Sequence, residues 1–264
     1  TMYDFHVHSI YSADCKYSIE RMATEAIKRK IKLIYIADHF ELSEITGHDM
    51  TFDLNEYKKE IQRVNKKLPE IEVLSALELG CDKSQFARFN ELINEDPLDM
   101  IIMSTHKVGD VYLSNEKFYS EKHTLSIYEE YYSEILENIK SFDNFDVLGH
   151  LDLIDKFKDR YYMDLEFGKY KNLVSDILKE LIKRDKALEI NTAGYHTILG
   201  RPYPKMEVLT MYKKLGGEKL IIGSDAHKPD LIGFKHKSLI NTIKRLGFAN
   251  ITIYRKRKAH LVRL

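Results

Sequence analysis

Short apolar runs alternate with stretches of helical periodicity along almost the whole chain, and this rhythm constrains the fold more than any other feature. The β-like runs fall at Tyr3–Val7, Leu33–Ala37, Glu72–Leu77, Met100–Ser104, Asp146–Leu148, Leu188–Ile190, Leu220–Gly223 and Ile251–Tyr254. Between them apolar residues recur every three or four positions. Ile19, Met22, Ala23, Ala26 and Ile27 form one stripe, Leu54, Tyr57, Ile61, Val64 and Leu68 a second, and Val174, Ile177, Leu178, Leu181 and Ile182 a third. Ser126-x-x-Glu129 reads as a capping box ahead of a helix over Tyr128–Ile139, in which Tyr131 and Tyr132 are packing residues. Strands that are apolar on both faces, each followed by a helix, predict parallel strands covered by helices. A closed or nearly closed α/β barrel is favoured, although a doubly wound sheet produces the same alternation. No repeat, low-complexity tract or Pro/Gly/Ser-rich linker divides residues 1–264, which read as a single domain of a length that barrels often reach.

Position within that rhythm carries the functional signal. His6 and His8 end the first strand, Asp38 and His39 follow the second, Glu78 the third, His106 the fourth, His150 the fifth, Asn191 the sixth, and Asp225 and His227 the seventh. In a parallel barrel all these strand ends open on one face, where barrel enzymes place their chemistry. A lone strand-end histidine is more often a hydrogen-bonded structural residue, but six of them converging with carboxylates predict a multi-metal site. Imidazole and carboxylate together suit Zn, Mn or Fe, and the lack of cysteine ligands argues against a closed structural zinc site. Asp14, in the loop after the first strand, is placed to join as a further ligand. His196, beyond the sixth strand, is placed to line the site, whereas His48, His123, His236 and His260 lack strand-end placement and read as surface residues.

Charge excludes several partners. Lys and Arg (41) balance Asp and Glu (41), so nothing global draws the chain to nucleic acid or to an acidic membrane, and any affinity for an anion must be local. The basic stretch from Arg255 through Lys258 to Arg263 reads as solvated. Trp is absent and the basic residues are dispersed, which is unlike a groove for a polyanion. No window approaches the roughly 18 apolar residues of a membrane span. The start of the chain lacks the basic leader and apolar run of a signal peptide, and two cysteines suit a reducing cytosol, so a cytoplasmic protein is expected.

The ordered motifs Asp4-x-His6-x-His8-Ser9, Asp38-His39, Glu78, Ser104-x-His106, Gly149-His150-x-Asp152 and Gly223-Ser224-Asp225-Ala226-His227 resemble those of the polymerase and histidinol phosphatase (PHP) superfamily. The resemblance covers almost the whole chain, and Phe145–Ile154 looks like the stand-alone histidinol-phosphate phosphatase branch. It implies a distorted (β/α)7 TIM-like barrel with two or three divalent ions, Zn, Mn or Fe, at the C-terminal end of the strands. It assigns His6, His8, Glu78 and Asp225 to a first metal, with Glu78 bridging to a second held by His106 and His150. Asp14, His39 and His227 would hold a third, and Asp38 and Asp152 would orient imidazoles. The implied reaction is hydrolysis of L-histidinol phosphate, a small phosphate monoester of histidine biosynthesis, by a metal-bridging hydroxide.

In that scheme Glu78, Asp225 and His227 are catalytic, with Asp225 or His227 delivering the leaving group's proton. Three divalent ions, less three carboxylates and a hydroxide, leave a centre of about +2 for a dianionic phosphate. Arg160 and Arg201 are the candidate phosphate contacts. Tyr112 and Glu116, in the His106–His123 loop, are with His196 the candidates for the rest of the substrate. The same superfamily includes phosphoesterases acting on nucleotides or nucleic acid, an alternative that the charge balance disfavours.

Overall fold

The computed structural model describes residues 2–42, 50–94 and 98–264. In chain order its strands are β1 (Met2–Val7), β2 (Ile31–Phe40), β3 (Glu72–Gly80), β4 (Met100–Ser104), β5 (Lys107–Val108), β6 (Val111–Tyr112), β7 (Val147–Leu148), β8 (Ala187–Asn191), β9 (Leu220–Gly223), β10 (Asn250–Arg255) and β11 (Lys258–Arg263). Strands β1, β2, β3, β4, β7, β8 and β9 pair in that order, every pair parallel. The two ends of this seven-stranded sheet meet where Val7 bridges Ala226 and the His8 N–H donates to the Ala226 carbonyl at 3.0 Å. The result is a nearly closed barrel, the architecture expected from the alternation.

Helices α1 (Ile19–Lys28), α2 (Leu54–Lys67), α3 (Phe86–Asn94), α4 (Thr124–Ser141), α5 (Lys171–Lys183), α6 (Met206–Lys214) and α7 (His236–Arg245) cover the strands. The apolar stripes are their buried faces: Ile19, Met22, Ala23 and Ala26 in α1, Tyr57, Ile61 and Val64 in α2, Val174, Ile177, Leu178 and Leu181 in α5. Ser18 caps α1 by accepting from the Arg21 N–H, and Asp53 caps α2 by accepting from Asn55 and Glu56. Helix α4 departs from expectation. It begins at Thr124, after His123, so Ser126 lies inside its first turn and the capping box does not form. Burial of Ile127, Tyr128, Tyr131 and Tyr132 outweighs the local preference for a Ser cap.

The eighth β-like run is not a barrel strand. It forms β10, paired antiparallel with β11, and this hairpin sits against the residues that lead into β3, β4 and β7. Arg255 pairs with Glu72, the Lys256 N–H donates to Asp99 Oδ1 at 3.0 Å, and Arg257 pairs with the buried Asp146 and donates to Asn144 at 3.0 Å. The basic stretch is therefore a clamp on the amino-terminal end of the barrel rather than a solvated tail, because a buried carboxylate there requires a counter-charge. His236 is also not a surface residue. It is buried, and its Nδ1 lies 3.0 Å from the Tyr3 carbonyl, tying α7 to β1. His123 and His260 are exposed as expected, and His48 lies outside the described residues. Among the described residues no helix is long and apolar enough to cross a membrane.

Candidate metal centre

The carboxyl ends of the barrel strands bring nine metal-type side chains together. His6 and His8, two residues apart and so on the same side of the chain, place their Nε2 atoms 3.1 Å from each other. Asp225 Oδ1 lies 3.0 Å from His8 Nε2 and 3.9 Å from His6 Nε2, and Glu78 Oε2 lies 3.4 Å from His6 Nε2. The other Glu78 oxygen, Oε1, lies 2.9 Å from His150 Nε2 and 3.3 Å from His106 Nε2. Asp14 Oδ2 lies 3.6 Å from His39 Nε2 and 3.2 Å from His227 Nε2. His39 joins this third group to the others, since its Nδ1 is 2.8 Å from Glu78 Oε2.

Local structure explains the convergence. The register of β2 on β3 sets His39 beside Glu78, at the middle of the row of strand ends. Asp225 follows β9 with φ of 55°, a left-handed backbone that costs energy in a non-glycine residue; its N–H donates to the His6 carbonyl at 2.7 Å. That turn directs its carboxylate into the mouth.

The donor set fits divalent cations. At metal–ligand distances of about 2.0–2.1 Å, two donors on one ion stand about 3.0–3.4 Å apart, and the separations within these groups, 2.9–3.9 Å, bracket that range. The outer nitrogens are already committed: His6 Nδ1 to Glu189 at 2.6 Å, His8 Nδ1 to Ser12 at 3.0 Å, His106 Nδ1 to Glu41 at 2.6 Å and His227 Nδ1 to the Asp225 carbonyl at 3.0 Å. With those protons donated outward, the Nε2 lone pairs face one another across shared spaces, an arrangement that a cation reconciles. Glu78 Oε2 and His227 Nε2 are buried and lack a hydrogen-bond partner among the described residues.

Titration behaviour follows the same geometry. Burial works against a charge on Glu78, yet the His39, His6 and His106 imidazoles hold its carboxyl well below the usual carboxylate range. Burial likewise opposes protonation of His39 and His106, but Glu78 and the neighbouring Asp14 and Glu41 push them up to about 11 and about 9. Burial, with His39 and His227 alongside, lowers His8 to about 3. Protons thus gather between the carboxylates, where divalent ions would balance the same charge.

A cavity of about 470 Å³ opens above the cluster, walled by Met50, Tyr112, Leu113, Ser114, Leu153, Lys156 and Phe157. Of the substrate-side candidates, only Tyr112 stands on this wall, its hydroxyl donating to Glu41 at 3.2 Å. Glu116 is exposed on the turn at Glu116–Phe118, Arg160 is exposed with its guanidinium 5.3 Å from the Tyr161 ring, and His196 is exposed against Phe234. Arg201 is turned away, pairing with Asp152 at 3.0 Å and with Asp155, because these two buried carboxylates need a cation.

Asp152 is hydrogen-bonded to no imidazole among the described residues. It holds Arg201 and accepts from the Lys205 N–H at 2.9 Å. Asp38 acts at one remove, accepting from Ser12, whose oxygen in turn meets His8 Nδ1. The carboxylates that do orient imidazoles, Glu41 and Glu189, escaped the sequence reading. Glu41 stands two residues after His39, and Glu189 is a charge inside an otherwise apolar strand, two residues before Asn191; both were signals. Lys156, the basic side chain that lines the cavity among the described residues, was also missed. Glu41 and Glu189 add two negative charges beside the centre, which offsets the surplus expected from the ligands alone and makes a cation on the wall more important.

Residues 4–193 of the chain match the PHP domain family. The histidinol-phosphatase of Lactococcus lactis subsp. lactis (strain IL1403) is 30% identical over 260 residues, covering 95% of this chain and 93% of that protein. A crystal structure of histidinol phosphate phosphatase from the same organism, complexed with Zn, L-histidinol and phosphate, aligns with a TM-score of 0.88 at 28% identity, over 98% of each chain. A putative histidinol phosphatase from Listeria monocytogenes shares the fold, with a TM-score of 0.73 at 20% identity over 89% of this chain and 99% of that one.

Proposed function

This chain belongs to the PHP domain family, and on that premise we propose that it is a metal-dependent phosphomonoesterase that hydrolyses L-histidinol phosphate to L-histidinol and phosphate. The observation that carries the reading is Glu78, buried at the centre of the cluster, with one oxygen turned to His6 and His8 and the other to His106 and His150. The Lactococcus structure, with Zn, L-histidinol and phosphate, supports it over the full length of the fold.

His6, His8, Glu78 and Asp225 would hold one divalent ion, Glu78, His106 and His150 a second, and Asp14, His39 and His227 a third, with Zn, Mn or Fe suited to the donors. Bound there, such ions supply a water acidic near neutral pH and charge to balance the phosphoryl oxygens. The chain's own residues supply the rest. The attacking water gives up its proton to solvent as it ionises, and the departing alcohol takes one back through Asp225, whose Oδ2 is steadied by the Asn191 amide 3.1 Å away, or through His227.

Lys156 binds a phosphate oxygen as a point charge, the role the sequence had suggested for arginine. Leu113, Leu153 and Phe157 exclude water from the reacting end, while Tyr112 and Phe157 offer aromatic surface to the substrate's imidazole. Two buried free thiols, Cys15 and Cys81, suit a reducing compartment such as the cytoplasm.

A substrate panel tests the reading. Metal-replete protein is incubated with L-histidinol phosphate, with bis-p-nitrophenyl phosphate and with labelled single-stranded DNA. Phosphate release from the first at a kcat/KM above about 10⁴ M⁻¹s⁻¹ is expected. Turnover of DNA alone would overturn the assignment in favour of a nucleic-acid phosphodiesterase.

A further inference from the structure

Glu189 lies beneath the metal-type cluster, fully buried in β8, with no Lys or Arg paired to it among the described residues. Its two oxygens serve different strand ends. Oε1 faces His6 Nδ1 at 2.6 Å; Oε2 accepts the His150 backbone N–H at 2.8 Å and the Asn191 amide at 3.2 Å. The same Asn191 amide donates to Asp225 Oδ2 at 3.1 Å. One carboxylate is thereby connected to His6 and Asp225 of the first ligand group and to His150 of the second.

The surrounding backbone is shaped to admit it. A Cβ on Gly223 would stand 2.5 Å from Glu189 Oε1 and 2.4 Å from the His6 Cβ, so only glycine leaves room for that contact. A burial this complete is costly for a carboxylate unless every lone pair is used, and here each neighbour is a donor.

We propose that Glu189 is a positioning residue that locks the first and second ligand groups into one register, so that divalent ions fill the two groups together. The proposal rests on the metal-dependent reading above. The chemical requirement is for a group that only accepts. His6 must keep its proton on Nδ1 to leave Nε2 for a metal, while the His150 N–H and the Asn191 amide are donors in any state. Glutamine has the right shape but turns one N–H toward a donor. Facing His6, it drives the imidazole proton onto Nε2, the ligand atom; facing His150, it breaks the backbone bond that sets the second group. Glu41, by contrast, is hydrogen-bonded to His106 alone among the proposed ligands, with His39 within 4.8 Å of it, and reaches neither His6 nor His150 through a hydrogen bond.

The test reads metal binding rather than turnover. Metal-stripped wild type, Glu189→Gln and Glu41→Gln are titrated with Zn²⁺ against a chromophoric chelator, with far-UV circular dichroism reporting the fold. Wild type is expected to fill the two groups in one cooperative step. Glu189→Gln should retain the fold, weaken both groups by about 10–100-fold and separate the steps, whereas Glu41→Gln should weaken one. A Glu189→Gln titration that superimposes on wild type, or that changes no more than Glu41→Gln, overturns the proposal. If Glu189→Gln does not fold, ¹⁵N-histidine spectra of the zinc-loaded wild type decide the matter. His6 must be protonated at Nδ1, slow to exchange and metallated at Nε2; coordination through Nδ1 overturns the proposal. Wild type that binds no zinc would instead strike down the metal-dependent reading itself.

Discussion

Replacing Arg201 with Met separates a phosphate-contacting arginine from a structural one. Arg201 Nη1 lies 3.0 Å from Asp152, and Nη2 reaches Asp155; both carboxylates are buried, at 0% and 2% exposure. Asp155 would survive the change, since Lys205 Nζ stands 2.8 Å away and the Tyr128 hydroxyl donates to it at 2.6 Å. Asp152 would not. It would keep the Lys205 N–H at 2.9 Å, while its Oδ1 already lacks a partner among the described residues. Breaking a buried pair by removing one member costs about 3–5 kcal/mol, and the nearby Lys205 places this case near 3 kcal/mol. For a chain of this size each kcal/mol moves Tm by roughly 2–4 °C, so a fall of about 6–12 °C is expected. Differential scanning calorimetry of the zinc-replete protein measures that, and steady-state kinetics at 20 °C, well below the transition, should show KM for L-histidinol phosphate within about twofold of wild type. An unchanged Tm with KM raised tenfold or more would refute the reasoning and return Arg201 to the phosphate.

The cavity wall gives a complementary expectation: Lys156→Met should raise KM by about 10–100-fold with kcat nearly constant, since a hydrogen bond to a charged group is worth about 1.5–3 kcal/mol. An unaltered KM would mean that the phosphate does not meet this side chain. Glu116→Gln and Arg160→Met, both exposed and off the wall, should leave kcat/KM within about twofold, and a tenfold drop in either would show that the mouth loops close over the substrate. A chelator should abolish phosphate release and zinc should restore it. Because zinc binds the native state, Tm should climb with zinc concentration, by the equivalent of about 4 kcal/mol at a thousandfold excess over Kd. A Tm indifferent to zinc would contradict a site that holds it.

The alternation of strand and helix, and the strand-end places of the metal-type residues, were legible in the amino-acid sequence. Periods of two and of three to four are properties of neighbouring residues, and a strand end is marked by where an apolar run stops, so His6, His8, Glu78, His106, His150 and Asp225 could be placed at one mouth without coordinates. Local reasoning failed where local preference met burial: Ser126 was a reasonable cap until Ile127 and Tyr128 drew the helix one turn earlier.

Which charges meet was settled by the closing of the fold. His6 finds Glu189 across 183 residues, Arg257 finds Asp146 across 111, and Arg201 finds Asp155 across 46. An arginine's place along the chain does not say whether a buried carboxylate or a bound anion lies closest to it. A basic run likewise looks solvated until the fold brings Glu72, Asp99 and Asp146 beneath it. Coulomb attraction and desolvation depend on distance and depth in space, and neither quantity exists until the strands have closed.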